Sequence, residues 1–69
     1  ATLTVDIPPE LLERIPPEKR AALTGVLAQD PRPAYQEDEA RIYGMGFGGL
    51  DIKFRVEGSR LTVVAVEHS

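Results

Sequence analysis

The sequence contains no cysteine and no tryptophan, a single histidine and a single methionine, and fewer basic than acidic residues. Without cysteine there is no disulfide, no thiolate zinc site and no thiol nucleophile. One histidine without cysteine also argues against a structural metal site, and no metal or cofactor is expected. Eight basic residues against eleven acidic ones give a formal charge of -3 and a pI of about 5.0. The chain thus lacks the basic balance with which nucleic-acid binders neutralise phosphate. No apolar run approaches the roughly 20 residues of a membrane span. A signal-peptide pattern is absent, and Ala1 suits either an initiator methionine that has been removed or a boundary cut within a longer sequence.

The 69 residues are expected to form one domain, 1–69, with one small core. A domain of that size buries only about 60% of its unfolded surface. With no disulfide to reinforce it, such a domain fits a reducing cytoplasm, or support from a partner or a second copy.

What the sequence does contain is concentrated between Ile42 and His68. Gly48-Gly49 and Gly58-Ser59 each lie between runs of β-branched and aromatic residues, the mark of two-residue hairpin loops. Three strands follow, with a definite register. Tyr43 faces Phe54, Met45 faces Ile52 and Phe47 faces Leu50; Val56 faces Leu61, Phe54 faces Val63 and Ile52 faces Ala65. Glu57 and Arg60 pair beside the second turn. One face of this meander is apolar throughout. The other carries Gly44, Gly46, Asp51, Lys53, Arg55, Thr62, Val64, Val66 and His68.

Before the meander, Leu3, Val5 and Ile7 alternate with Thr2, Thr4 and Asp6, as in a half-buried strand that Pro8-Pro9 stops. Leu11, Leu12 and Ile15 predict a short helix ended by Pro16-Pro17, and Leu23, Val26 and Leu27 predict a second one interrupted by Gly25. Asp30-Pro31-Arg32-Pro33 opens a loop containing Tyr35 and the acidic run Glu37, Asp38 and Glu39. That run reads as a solvated loop or a docking site for a basic partner.

The resulting fold is α+β: a mostly antiparallel four-stranded sheet with two N-terminal helices packed on one face, in the order β-α-α-β-β-β. Function belongs to the other face. An acid–base site of Asp51, Lys53 and His68 is conceivable there, although no spacing rule singles it out, and Asp51 with Lys53 also reads as an ordinary exposed pair. The glycines 44, 46, 48 and 49 do not form a phosphate loop, since a strand and not a helix follows them. Val64 and Val66 read either as plain strand formers or as an apolar floor for a partner segment.

The chain resembles the RelE/ParE superfamily, toxins of bacterial type II toxin–antitoxin systems. The resemblance rests on the opening strand, on Ile7-Pro8-Pro9-Glu10 and Asp30-Pro31-Arg32-Pro33, and on the hairpin from Ile52 to His68. In that family basic residues of the exposed sheet face hold messenger-RNA phosphate. Here its arginine positions fall on Gly44, Gly46, Asp51 and Ser69, while Lys53, Arg55 and His68 remain as catalytic candidates. The resemblance implies a toxin–antitoxin protein lacking ribonuclease activity, acting through an antitoxin-like partner or a homodimer. Two alternatives accompany it. One is an active toxin, either a ribosome-dependent endoribonuclease or a gyrase inhibitor of the ParE kind. The other is a small homodimeric binding domain with no toxin role.

Overall fold

Gly48 and Gly49 both have positive φ, 56° and 83°, and this left-handed pair sets the sheet. Such a two-residue turn matches the twist of flanking strands, and glycine enters it without a Cβ clash. The computed structural model describes residues 2–32 and 40–68. Its elements are β1 (Thr4–Asp6), α1 (Pro9–Leu12), α2 (Pro17–Ala28), β2 (Tyr43–Phe47), β3 (Leu50–Glu57) and β4 (Arg60–His68). The expected acidic loop of Glu37, Asp38 and Glu39, with Tyr35, lies outside the described residues, as does Ser69.

β2 and β3 pair antiparallel from Tyr43↔Phe54 to Phe47↔Leu50, the register expected from the turn. β3 and β4 also follow expectation from Glu57↔Arg60 through Val56↔Leu61 to Phe54↔Val63. There the register shifts. Lys53 pairs with Ala65 and Ile52 with Val66, not with Ala65, so Val64 is an extra residue that makes a β-bulge. The bulge has a clear physical cause. Unbroken alternation would place Ala65 and then Glu67 on the core face; the shift puts Val66 there, only 3% exposed, and turns Glu67 outward. An unpaired carboxylate is thereby spared burial, and a valine fills the place of an alanine.

The sheet order is β1-β4-β3-β2. β1 runs parallel to β4, with Val5 opposite Leu61, so the sheet is mixed: an antiparallel meander of β2, β3 and β4 with β1 added in parallel beside β4. Leu3 N–H donates to the Ala28 carbonyl (2.8 Å) and Thr4 N–H to that of Ser59 (2.7 Å), tying β1 to the end of α2 and to the β3–β4 turn.

The expected pair of helices is one helix and one turn. α1 has four residues because prolines crowd both sides: Pro8-Pro9 start it and Pro16-Pro17 restart the chain as α2. The RelE/ParE-like layout of two helices on the sheet is therefore not the one adopted, although the α+β class holds. α2 has twelve residues and buries Leu23 and Leu27 completely. Val26, expected on the same stripe, is 40% exposed. These leucines and Ile15 meet Ile52, Phe54, Leu61 and Val63 in the core. Each such side chain contributes about 1.5–3 kcal/mol on burial. Gln29 caps α2 and Asp30 follows it, a non-glycine residue at φ 62° whose N–H donates to the Leu27 carbonyl (3.1 Å).

Candidate functional surface

The sheet face turned away from α2 is open, and strand alternation decides what stands on it. β2 contributes Gly44 and Gly46, and β3 contributes Asp51, Lys53, Arg55 and Glu57. From β4 come Arg60, Thr62, Ala65 and Glu67, with Val64 exposed at the bulge. Thr4 and Asp6 of β1 complete it.

Lys53 is the hub of this face. Its Nζ lies 3.1 Å from Asp51 Oδ2 and 3.8 Å from Glu67 Oε1. The hydrogen bond to Asp51, followed by the attraction of the Asp51 and Glu67 charges, holds the Lys53 ammonium above its ordinary pKa. The pair spreads over the bare backbone of Gly44: a Cβ there would meet Asp51 Oδ1 at 3.7 Å and Lys53 Nζ at 4.0 Å. Arg55 approaches Glu57 at 3.5 Å, and Arg60 approaches Asp6 at 3.9 Å. Each of these three cations thus stands beside a carboxylate. Exposed pairs of this kind add little stability, but they neutralise the surface against a phosphate ligand.

The expected site residues are only partly brought together. Gly44, Gly46, Asp51, Lys53 and Arg55 do share one face. Val66 does not, since the bulge places it in the core. His68 pairs with the buried Leu50, on the core side of the register and at the exposed end of β4, so Asp51, Lys53 and His68 do not form an acid–base triad. The residue missed by sequence reasoning is Glu67, which the bulge carries to Lys53. Among the described residues no group of three or more His, Cys, Asp or Glu side chains is placed to hold a metal ion. Among them, too, no helix is long and apolar enough to cross a membrane.

A second cluster lies at the start of β2. The Tyr43 ring stacks on Phe54 with centroids 5.6 Å apart, and the Arg41 guanidinium sits 5.4 Å from the Tyr43 ring centre. The Arg32 guanidinium forks onto both carboxylate oxygens of Asp30, at 2.7 and 2.6 Å. That bond, together with the Arg32 charge, outweighs the effect of burial and lowers the Asp30 pKa; it raises that of Arg32 in turn. The buried Tyr43 hydroxyl has no hydrogen-bond partner among the described residues.

Comparison with known proteins gives the family. The sequence profile described as "TrmO C-terminal domain" matches residues 1–69. A protein of Eikenella corrodens named tRNA (adenine(37)-N6)-methyltransferase is 38% identical over 52 residues, which are 75% of this chain and 30% of that protein. The match therefore spans under a third of that relative's length. No solved structure matches. These findings overturn the resemblance to RelE/ParE toxins, and with it the antitoxin-dependent, messenger-RNA-cleaving, gyrase-inhibiting and stand-alone binding-domain readings. The motifs behind that resemblance are short and degenerate, whereas the profile matches the whole chain. The chain belongs to the TrmO C-terminal domain family.

Proposed function

We propose that the chain is a tRNA-handling part of an enzyme that methylates N6 of adenine 37, holding or orienting the tRNA while the rest of the enzyme transfers the methyl group. The observation that carries this reading is the match of all 69 residues to the TrmO C-terminal domain, joined to the activity for which the longer relative is named. A tRNA substrate also agrees with a cytoplasmic location.

The charge distribution supports the same reading better than the net charge does. Setting Glu37, Asp38 and Glu39 aside leaves eight acidic residues against eight basic ones. The open face holds four acids (Asp6, Asp51, Glu57, Glu67) and three bases. The remaining five bases, Arg14, Lys19, Arg20, Arg32 and Arg41, lie on the helix side or beside β2, against four acids. Phosphate would be met on that side, and Arg14, Lys19 and Arg20 around the start of α2 are its first contacts.

Binding of the tRNA named by the relative's activity tests the reading, with titrations across a range of salt concentrations. The chain should bind, with affinity falling as salt rises. Arg14→Gln, Lys19→Gln and Arg20→Gln together should weaken binding and flatten the salt dependence by about one slope unit for each phosphate no longer neutralised. Absence of binding at low salt, or equal weakening by Lys53→Gln with Arg55→Gln, would overturn it.

A further inference from the structure

β2 stands at the edge of the sheet. Its turn makes Phe47 and Leu50 a pair that exchanges both main-chain hydrogen bonds, and alternation repeats this at Met45–Ile52 and Tyr43–Phe54. Gly44 and Gly46 fall between the bonded pairs, so the N–H and C=O groups of each point away from β3. Both residues are exposed.

Edges of this kind template another strand, and proteins blunt them with charge, proline, a bulge or sheer shortness. The opposite edge is blunted: β1 has three residues, ends on Asp6 and is soon followed by Pro8-Pro9. β2 has none of these devices. It is Tyr43-Gly44-Met45-Gly46-Phe47, uncharged and nearly palindromic about Met45.

From this self-complementarity we infer that β2 pairs antiparallel with β2 of a second copy about a twofold axis at Met45, joining two four-stranded sheets into one. Gly44 lies opposite Gly46 of the second copy, and Gly46 opposite Gly44, so four main-chain hydrogen bonds form with no side chain to obstruct them. Tyr43 meets Phe47 of the second copy, an aromatic cross-strand pair, and Met45 meets its own copy. Met45 and Phe47 are half-buried in a single copy and gain cover. On the open face Ile42, 48% exposed, comes beside Gly48 of the second copy, where no side chain competes for the space. Such a contact is isologous and closes on itself.

One repulsion opposes it. Lys19, bonded at Gly48, is carried toward Arg41 of the second copy. Added salt screens these like charges, so the association should tighten as salt rises, opposite to the behaviour of a phosphate complex. The inference is independent of the tRNA reading and is tested without RNA.

Sedimentation of the 69-residue chain from micromolar to millimolar concentration, at low and high salt, should show a monomer–dimer equilibrium tightened by salt. Amide exchange at Gly44 and Gly46 should slow as the dimer forms. Gly44→Pro removes a donor from both copies and should weaken association at least about ten-fold, with the circular dichroism unchanged. Should that variant not fold, Met45→Lys, which places like charges on the axis, decides in its place. A chain monomeric throughout, an association that leaves Gly44 and Gly46 exchange unaltered, or one indifferent to the deciding variant overturns the proposal.

Discussion

Lys19 Nζ donates a 2.9 Å hydrogen bond to the carbonyl oxygen of Gly48. The bond joins the first turn of α2 to the β2–β3 turn, and a Cβ on Gly48 would stand 3.0 Å from that Nζ. Helix and hairpin are thus coupled through one flexible side chain.

Lys19→Met is expected to cost about 1 kcal/mol, since the bond is charge-assisted but exposed. Gly48→Ala should cost about 2–3 kcal/mol, combining left-handed strain with displacement of Lys19. Gly58→Ala should show the strain alone, about 1–2 kcal/mol, because nothing lies within 4 Å of its Cβ position. The double variant of Lys19 and Gly48 should lose less than the sum of the singles in urea melts. Strict additivity would show that the bond contributes nothing.

Val64 is the exposed bulge residue and Val66, two residues on, is buried opposite Ile52, so the two should respond differently to the same change. Val66→Asp buries a carboxylate in the core and should cost about 3–5 kcal/mol. Val64→Asp should stay within about 0.5 kcal/mol. Deleting Val64 removes the unpaired residue and leaves every other β3–β4 pair intact, so the shortened chain should fold with the same side chains in the core. Thermal melts and backbone chemical shifts check all three; equal effects from the two aspartates would rule out the bulge.

Asp30 links stability to pH. Its folded pKa is depressed by Arg32, so its contribution is present above the unfolded value, about 3.9, and is lost as pH falls through the lower folded value. Asn keeps the left-handed conformation at this position but cannot ionise. The stability gap between the native chain and Asp30→Asn should therefore be flat at neutral pH and shrink below about pH 4. A gap that does not change with acid would remove Arg32 as the cause.

Much of the meander is legible in the sequence because two glycine turns fix which residues face each other. The register from Tyr43↔Phe54 to Phe47↔Leu50, and from Glu57↔Arg60 to Phe54↔Val63, needs nothing else. It breaks at Val64, where no glycine or proline announces the extra residue. The signal lies downstream, since unbroken alternation would bury Glu67. Because Glu67 turns outward with the bulge, the Lys53 cluster is misread along with the strand. α1 reads as a helix from Leu11, Leu12 and Ile15, but the flanking prolines confine it to one turn and leave Ile15 buried in the connection. The parallel pairing of β1 with β4 has no local signal, because it joins opposite ends of the chain. The family escapes motif reading for a similar reason: its pattern is spread over all 69 residues.

That same parallel pairing imposes an order on assembly. The hairpins from Tyr43 to His68 join near neighbours, and loops that short close quickly. Thr4 to Asp6 must wait for Arg60 to Thr62, so the first strand of the domain is the one that docks last. During synthesis it stays an unpaired apolar-polar ribbon until β4 has left the ribosome, and completion of the fold is timed by the last strand of the domain.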